Sequence, residues 1–543
     1  MSISTTSIAD GIGHVTQTQL TTDPDGTTYT DVTYDGFGRI RTQSNPHRSA
    51  SAATDGITTT FYDALGRTCL VVPPDGTLPT GGGCPTSQPS NTIFTTYSGN
   101  TTTVTDQAGK SRKSVTDGLG RLTQVFEDPA GLNYETDYSY DVLGNLLTVN
   151  QKGNDTNSAN WRTRTFTYNS LSQLLTAANP ESGTISYAYD LNGNLSTKTS
   201  PKPNQSGTAT VVATYTYDAL NRLTQKSFND GSTPTVSYVY DGNATPTGCT
   251  LPTLTLTNPI GRRTGMCDAA GSEAWSFDSL GRVTSDNRIT SGVTKLTTYS
   301  YNLDGSLNTF SIPTYADGSH PFYITYQQGG AGRSLGTTGS LGIGLVHYTP
   351  SGALCYMQGS WDYNWITTST FNNRLQPART QTGDFFPGST PPPVCAIGPI
   401  QSSGIASTFQ DLSYSFVDAS GHNNGNVVTI ANNVDIDRSQ SFSYDSLNRI
   451  SSAWTTGTNQ PVWSGDTDYL QECWAENYSY DPWGNLLKLS PSSSSSYTGC
   501  TQESGFDFTN AMGANNRIAA SGYVYDAAGN MTTSPGAGTV VFN

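Results

Sequence analysis

Carboxylates recur at equivalent places along the chain, and two carboxylates side by side could hydrolyse a glycosidic bond. The recurring acids are Asp35, Asp63, Asp141, Asp190, Asp218, Asp445 and Asp526. Such an enzyme needs two carboxyl groups about 5–10 Å apart in a cleft. Here each Asp stands alone in its own short motif, where the backbone N–H groups of a turn can satisfy it. A structural role is therefore favoured, and a calcium ion between acids of adjacent motifs is the alternative.

Other residue types with catalytic potential lack the required spacing. No HExxH pair is formed by the five scattered histidines His14, His47, His320, His347 and His422. There is no GxSxG nucleophile elbow. The glycine-rich stretches at 81–84 and 329–336 lack the GxxxxGKS/T pattern of a phosphate-binding loop, so they are interpreted as ordinary loops. The sequence predicts no catalytic residue, no cofactor and no metal site.

The recurring acids all belong to one repeated motif, Tyr-Asp-x-x-Gly/Asn-Arg/Asn-Leu. Its clear copies include YDGFGRI (34–40), YDALGRT (62–68), TDGLGRL (116–122), YDVLGNL (140–146), YDALNRL (217–223), FDSLGRV (277–283), YDSLNRI (444–450) and YDPWGNL (480–486). Neighbouring good copies lie 21 to 28 residues apart. A pattern this regular indicates an array of one structural unit.

The motif predicts a strand, a tight turn and a second strand. The Tyr ends the first strand, the Asp accepts hydrogen bonds within the turn, and Gly or Asn takes the positive φ. The Arg is expected to pair with an Asp or Tyr of the next unit, giving a ladder; a binding surface is the alternative. The leucine before Gly or Asn, such as Leu65, is expected to tuck under the turn. The turn residues so assigned are Tyr34, Asp35, Gly38, Arg39, Tyr62, Asp63, Gly66, Arg67, Tyr140, Asp141, Gly144, Tyr217, Asp218, Arg222, Tyr444, Asp445 and Arg449.

The composition supports the same architecture. Of 543 residues, 34% are hydrophobic and 13% charged, with 56 Gly and 30 Tyr, and no long segment shows helical periodicity. Tyr and Thr favour strands, while Gly, Asn, Asp and Pro favour turns. We predict an all-β chain whose stacked hairpins build a continuous sheet. Its expected parts are lead-in strands at 1–33, a repeat array at 34–320, degenerate repeats with Pro/Gly-rich insertions at 321–440, and C-terminal repeats at 441–543.

The eight cysteines fall into four couples along the sequence. They are Cys69/Cys84, Cys249/Cys267, Cys355/Cys395 and Cys473/Cys500, and no CxxC zinc pattern occurs. Three couples involve Pro-, Gly- or Ser-rich insertions, so we expect disulfides that clip long loops, with free buried thiols as the alternative. Disulfides would place the chain outside the reducing cytosol, secreted or at the cell surface.

Charge and hydropathy exclude two classes of partner. The net charge is −15 and no Lys/Arg cluster occurs, which argues against nucleic-acid binding. No run approaches the roughly 20 apolar residues of a membrane span. The N-terminus MSISTTSIADGIGHV has no signal-peptide pattern, so we expect the chain to derive from a longer precursor.

The repeat, with this spacing, resembles the YD repeats of the RHS family, from Tyr34 to Met531. That family includes bacterial Rhs polymorphic toxins, the B and C subunits of insecticidal toxin complexes, and teneurin ectodomains. The resemblance implies a β-sheet that spirals into all or part of a hollow shell, which encloses a toxin-like polypeptide. Asp481-Pro482-Trp483-Gly484 superficially matches the family's DPxG motif, but it lies inside a repeat and lacks the downstream DG, so no catalytic role is assigned.

We therefore expect a structural shell or scaffold that encloses or presents a polypeptide cargo, or belongs to a larger Rhs-like chain. The alternative is an extracellular module that binds glycans or a cell-surface partner. Trp361, Tyr363 and Trp365 alternate and would share one strand face, as would Tyr138 and Tyr140. Trp361 and Trp365 are the candidate glycan contacts, although sheet-stacking rings are the commoner role of such residues.

Overall fold

A computed structural model describes residues 3–312, 322–340, 342–359, 365–384, 394–397, 401–402, 405–406, 408–456, 474–491, 505–509, 511–536 and 538–541. The described chain is all-β, with two short 3₁₀ segments at Ser158–Asn160 and Ile436–Arg438. None of its helical segments is long and apolar enough to cross a membrane. The prediction of an all-β array is confirmed.

The first half of the described chain contains β1 (Thr5–Ala9), β2 (Val15–Leu20), β3 (Thr28–Tyr34), β4 (Ile40–Ser44), β5 (Ile57–Tyr62), β6 (Thr68–Val72), β7 (Ile93–Ser98), β8 (Thr101–Thr105), β9 (Ser111–Thr116), β10 (Leu122–Glu127), β11 (Tyr134–Tyr140), β12 (Leu146–Gly153), β13 (Arg162–Tyr168), β14 (Leu174–Asn179), β15 (Gly183–Tyr189), β16 (Leu195–Pro201), β17 (Thr210–Tyr217), β18 (Leu223–Phe228), β19 (Val236–Tyr240), β20 (Arg263–Cys267) and β21 (Gly271–Phe277).

The second half contains β22 (Val283–Thr290), β23 (Val293–Tyr301), β24 (Leu307–Ile312), β25 (Phe322–Gln328), β26 (Ser334–Gly339), β27 (Ile343–Tyr348), β28 (Leu354–Gly359), β29 (Trp365–Phe371), β30 (Pro377–Asp384), β31 (Gln401–Ser402), β32 (Ile405–Ala406), β33 (Thr408–Ser415), β34 (Thr429–Asn432), β35 (Gln440–Tyr444), β36 (Ile450–Thr455), β37 (Ala475–Tyr480), β38 (Leu486–Pro491), β39 (Phe506–Asp507), β40 (Val524–Tyr525), β41 (Met531–Ser534) and β42 (Gly538–Thr539).

The repeat motif forms hairpins with a bulge at the tyrosine. In β3/β4 the pairing register shifts between Thr33 and Tyr34, and the same shift occurs at Tyr62 and Tyr217. A tight turn followed by one left-handed residue produces such a bulge, which is why the motif needs Gly or Asn there. Gly38 accordingly has φ 76°. Each hairpin then pairs with the next one along the chain, because its outer strands have unpaired backbone groups.

The chain divides into two compact units. Unit 1 comprises residues 1–134, 326–481 and 486–507, and unit 2 comprises residues 135–325, 482–485 and 508–543. Within unit 1, β1 to β10 form one antiparallel meander and β26 to β39, apart from the separate pair β31/β32, form another. Within unit 2, the meanders are β11 to β24 and β40 to β42. Each unit therefore contains an early meander and a late one.

The apolar core is divided into small clusters that include cysteine side chains. Phe61, Leu70 and Val72 pack with Cys69, and Tyr356 and Ile366 pack against Cys395. Three of the predicted couples are disulfides: Cys69–Cys84, Cys249–Cys267 and Cys355–Cys395, with Cα separations of 5.9, 5.6 and 4.7 Å. Cys473 and Cys500 lie outside the described residues. Each of these disulfides therefore ties a long loop to a strand of the sheet.

Replacing both Cys355 and Cys395 by Ser should lower the free energy of unfolding by about 3–4 kcal/mol. The reason is that this disulfide closes the longest of the three loops, a sequence separation of 40 residues. The Cys69→Ser/Cys84→Ser pair, with a separation of 15 residues, should cost slightly less. Urea unfolding measures both. Wild-type stability in the first double variant would contradict this assignment.

Candidate functional site: the repeat turns and the loops they dock against

Each repeat turn is closed by its own aspartate. In the turn after β35, Asp445 Oδ1 accepts hydrogen bonds from the backbone N–H groups of Leu447 and Arg449, both at 2.9 Å. Its Oδ2 accepts from Arg449 Nε at 2.7 Å. Asn448, in the position before the Arg, has φ 63°. The acidic side chain therefore fixes the turn and also holds the following Arg in one orientation.

The same arginine reaches the next hairpin. The Arg449 guanidinium lies 4.6 Å from the ring centroid of Tyr480, the tyrosine of the next repeat, and donates to the carbonyl of Asp481 at 3.1 Å. The Tyr480 hydroxyl then donates back to the Ile450 carbonyl at 2.9 Å. Aspartate, arginine and the next tyrosine are thus joined in a single chain of contacts.

This chain of contacts recurs along both units and forms the predicted ladder. Arginine lies over the next tyrosine, at 4.0 to 5.4 Å, in Arg39/Tyr62, Arg67/Tyr97, Arg222/Tyr240, Arg282/Tyr301, Arg333/Tyr348 and Arg517/Tyr525. The returning tyrosine hydroxyl bond, to the residue just after a turn, recurs in Tyr34, Tyr62, Tyr97, Tyr217 and Tyr301. These contacts connect each hairpin to its neighbour without a continuous apolar core.

In several repeats the side chain that follows the turn lowers the pKa of the turn aspartate. The Arg39 side chain hydrogen-bonds Asp35 and lowers the pKa of that carboxyl, with further lowering from backbone N–H groups. Asp117 shows the same shift through Arg121. In repeats that carry Asn instead of Arg, the Asn145 amide lowers the pKa of Asp141. These acids stay ionised over a wide pH range, as a turn acceptor requires.

The expectation that the turn leucines tuck under the turn is wrong. Leu65 is 78% exposed, Leu143 64% and Leu220 70%. The turn is only a few residues wide and the Asp side chain occupies its inner side, so the residue before Gly or Asn points outward. The turns therefore present aliphatic tips.

Several ladder turns escape the sequence motif. The turn at 10–14 lies in the segment assigned to lead-in strands, and its His14 stacks on Tyr34 at 4.5 Å in the place of an arginine. The stretch at 329–333, interpreted as a loop, closes through a hydrogen bond from Gly329 N–H to the Arg333 carbonyl at 2.8 Å. Further turns lie at 418–422 and 513–517. A Gly or Asn followed by a basic residue is the signal that these copies share.

A second set of contacts joins the two meanders of unit 1. The term turn rim denotes the row of repeat turns at one end of the strands, and the term loop rim denotes the row of connections between successive hairpins at the other end. Asn373, in the late turn rim, accepts from Asn45 Nδ2 at 2.6 Å, and Lys110 Nζ donates to the Asp445 carbonyl at 2.6 Å. Asn423 N–H donates to Asn91 Oδ1 at 2.8 Å. The late turn rim is docked on the early loop rim.

Unit 2 repeats this docking. Trp483 Nε1 donates to the Gln151 carbonyl at 2.9 Å, and its ring lies 3.8 Å from the Arg162 guanidinium. Farther along, Arg517 donates to the Glu181 carbonyl at 2.7 Å, and the Ala527 N–H donates to the Gln205 carbonyl at 2.6 Å. Directed hydrogen bonds to backbone carbonyls dominate this interface, so each of these turns docks on its own loop.

One acid pair does lie outside the turns. Glu273 on β21 and Asp286 on β22 share a sheet face, and Glu273 is buried against Arg288 at 2.5 Å. Burial, a hydrogen bond with Glu273 and the charge of Glu273 together raise the pKa of Asp286 to about 6. Two carboxyl groups in direct hydrogen-bond contact suit a structural role better than two carboxyl groups set apart around a substrate.

A row of aromatic residues follows one face of unit 2. The alternation of the strands and their registers place on this face Tyr138, Phe166, Tyr187, Tyr215, Tyr238, Trp275 and Tyr299. All seven are half-buried. Lys198 lies opposite Tyr187, and Lys226 lies opposite Tyr215. The sheet face is thus aromatic with scattered cations.

The remaining sequence candidates fall in three places. Trp365 is half-buried at the start of β29 opposite Asp384, whereas Trp361 lies outside the described residues. Asp481 is 5% exposed and its carbonyl is part of the ladder. Within the described ranges, no group of three or more His, Cys, Asp or Glu side chains is placed to hold a metal ion.

Solved structures share this fold, although the sequence alone finds no relative. No protein-family model and no curated protein matches the chain. The crystal structures of TcdB2-TccC3 and TcdB2-TccC3-Cdc42 match 97% of this chain with a TM-score of 0.71, at 16% and 15% identity. The structure of the Photorhabdus luminescens Tc holotoxin pore matches 97% of this chain at a TM-score of 0.70 and 16% identity.

These matches confirm the fold expected from the resemblance to the YD-repeat family, that of the YD shell of Tc toxins. The chain spans only about 28% of the length of the toxin chains that it matches. At such identities the likeness concerns the fold alone.

The ladder predicts the effect of removing one arginine. Arg449→Ala should lower the free energy of unfolding by about 1–2 kcal/mol, because it removes the bonds to Asp445 and Asp481 and the contact with Tyr480. Tyr480→Phe, which removes only the hydroxyl bond, should cost about 1 kcal/mol. Arg112, whose exposed pair with Glu127 lies outside the ladder, is the control, and Arg112→Ala should change little. Equal losses for Arg449→Ala and Arg112→Ala, measured by urea unfolding, would refute the ladder.

The acid pair predicts an unusual pH dependence. A carboxyl group with a higher pKa in the folded protein stabilises the fold at low pH, and this contribution is lost as pH rises from about 4 through about 6. The turn aspartates act oppositely, since their lowered pKa makes their contribution disappear at still lower pH. Asp286→Asn should therefore flatten the fall in unfolding free energy between about pH 4 and 7. Over this pH range the unfolding free energy of the wild type should fall by about 1 kcal/mol more than that of the variant. This difference is smaller than the whole pKa shift would give, because Asp286 is partly exposed. A variant that keeps the wild-type slope would show that another group titrates there.

Proposed function

We propose that this chain is a wall segment of a YD-repeat shell that encloses or presents a polypeptide, in a secreted or surface-exposed assembly. The observation that carries the proposal is the docking of a late turn rim on an early loop rim within each unit. Such docking joins two meanders, each of which could remain a flat ribbon, into a wall two strand lengths high. The ladder is suited to the same role, because it holds hairpins side by side at little cost in apolar residues.

The Tc toxin structures support this proposal by their fold. The chain spans about 28% of theirs, so the enclosed polypeptide is proposed by analogy with them. The role proposed here is that of a scaffold without a reaction of its own. Three disulfides suit the secreted environment that the proposal requires.

A second candidate function is favoured by the aromatic row of unit 2. Aromatic residues on every second strand recur at about 10 Å, twice the spacing of paired strands. Rings at such intervals, with Lys198 and Lys226 between them, could contact alternate sugars of an extended glycan. This candidate replaces the shell with an exposed binding array.

Small-angle X-ray scattering on the purified chain distinguishes the two functions. A wall should give a distance distribution skewed towards large separations, because little mass lies near the centre. A solid rod or ribbon profile would count against the shell. If that profile came with retention on a soluble polysaccharide that Tyr187→Ala/Tyr215→Ala abolishes, the binding array would be favoured. Tyr323→Ala, which removes an exposed tyrosine from the opposite sheet face, is the matched control.

A further inference from the structure

Unit 2 leaves most of its early turn rim uncovered. The turns at 141–145, 169–173, 190–194, 218–222, 278–282 and 302–306 each present one or two large aliphatic residues to solvent. The tips are Val142, Leu143, Leu171, Leu191, Leu220, Leu280 and Leu303, all at least 64% exposed. A leucine adds nothing to the closure of these turns, which the Asp or Asn side chain performs. The row is therefore an apolar ridge on an otherwise polar rim.

Docking covers the same position elsewhere in the chain. Leu447 is the third residue of its turn, as Leu220 is, but its turn rests on Lys110 and Asp106, and Leu447 is only partly exposed. Trp483, at the third position of another docked turn, is likewise partly exposed and contacts Arg162. A turn tip is thus the part of the hairpin that meets a loop rim.

Unit 2 also leaves part of its loop rim uncovered. The docked loops extend to Asn204, whose N–H donates to Asp526 Oδ2 at 2.8 Å. The next connections along the rim, at 229–235, 268–271 and 290–293, are largely exposed. A docked loop lies close to its turn, since a Cβ on Gly153 would lie 2.5 Å from Pro482 Cβ. At Gly231 and Gly292, by contrast, the corresponding space is open.

A socket of suitable size lies on this uncovered loop rim. A concavity of about 240 Å³ is lined by Met266, Ala270, Gly271 and Ile289 and by the polar residues Asp268, Ser272, Glu273, Arg288 and Thr290. Its walls come from the turn between β20 and β21 and from the end of β22. Met266, Ala270 and Ile289 form the apolar part of this lining, against which one aliphatic side chain can pack.

We propose that the uncovered turn rim of unit 2 docks on the uncovered loop rim of unit 2 in a second copy of this chain, with a leucine tip seated in the socket beside Ala270. The argument is continuity, because the uncovered loops directly extend a rim that already receives turns. One copy carries both halves of the contact. The two halves are different surfaces, so the contact is heterologous and each copy has a free half for a further copy.

The biological role of this contact rests on the proposed wall function. The contact itself is argued only from the exposed turn and loop rims of unit 2. Sedimentation velocity over a range of concentrations tests it. The wild-type chain should show a weight-average mass that rises above 57.8 kDa and continues to rise past the dimer. A mass of 57.8 kDa at every concentration would overturn the proposal.

Two variants probe the two halves of the contact. Leu143→Asp/Leu171→Asp/Leu191→Asp/Leu220→Asp should weaken self-association at least about tenfold, since each charge removes an aliphatic contact. Ala270→Glu should do the same from the socket side. Leu78→Asp, at an exposed loop leucine of unit 1, is the matched control and should associate like the wild type. Circular dichroism confirms that each variant is folded.

The outcomes separate this inference from the proposed function. Self-association that resists both test variants would mean that another surface is used, and the inference would fall. A hollow scattering profile from a chain that stays monomeric would support the proposed wall and overturn the docking of a second copy. A solid profile from a chain that self-associates, with association lost in both variants, would support the docking and count against the wall.

Discussion

The contact on which the structure depends is the arginine that belongs to one hairpin and covers the tyrosine of the next. A chain with only 34% hydrophobic residues has few side chains with which to build a continuous apolar core. The described apolar clusters are accordingly small, with Leu70 and Ile366 among their few fully buried members. Arg449 shows how the deficit is met, since its guanidinium bonds Asp445 and at the same time covers the ring of Tyr480. Each hairpin thereby forms hydrogen bonds with the previous hairpin and also buries apolar surface against it.

This arrangement also explains why the motif tolerates substitution at one position and not at another. A residue whose side chain hydrogen-bonds the first turn residue can replace the Arg. Asn145 donates to Asp141, and Gln173 Oε1 accepts from Asn169, which stands in place of the Asp. The left-handed position is more restrictive because a Cβ is strained there, and it is filled mainly by Gly and Asn. The tips are the least constrained by the turn itself. Closure of the turn therefore does not account for their aliphatic character.

The sequence predicts the local structure well because the motif encodes it locally. The strand–turn–strand unit, the ladder through Arg39 and Arg222, and three of the disulfides all follow from residues close together in the chain. The outward direction of Leu65 was not predictable from spacing, since the space under the turn is taken by the Asp carboxyl group.

Other features depend on strands whose pairing had to be known first. The pair Glu273/Asp286 arises because β21 and β22 adopt one particular register, and no motif marks either residue. The turn at 10–14 lacks both Tyr and Arg, yet His14 fulfils the stacking role because a flat ring can replace a planar guanidinium.

The docked rims differ from the ladder in how far along the chain they reach. The ladder contacts described above join residues at most 32 positions apart, as in the bond from Arg449 to the Asp481 carbonyl. Rim contacts join residues more than 300 positions apart, from Thr22 to Gly330 in unit 1 and from Arg162 to Asn516 in unit 2. Local contacts form early because closing a short loop costs less entropy than closing a long one. We therefore expect the meanders to assemble hairpin by hairpin and to dock last. A repeat protein with only nearest-neighbour contacts would lose its end hairpins independently. Here the docking of the late meander on the early one means that hairpins far apart in sequence must unfold together. A wall requires this mechanical coupling.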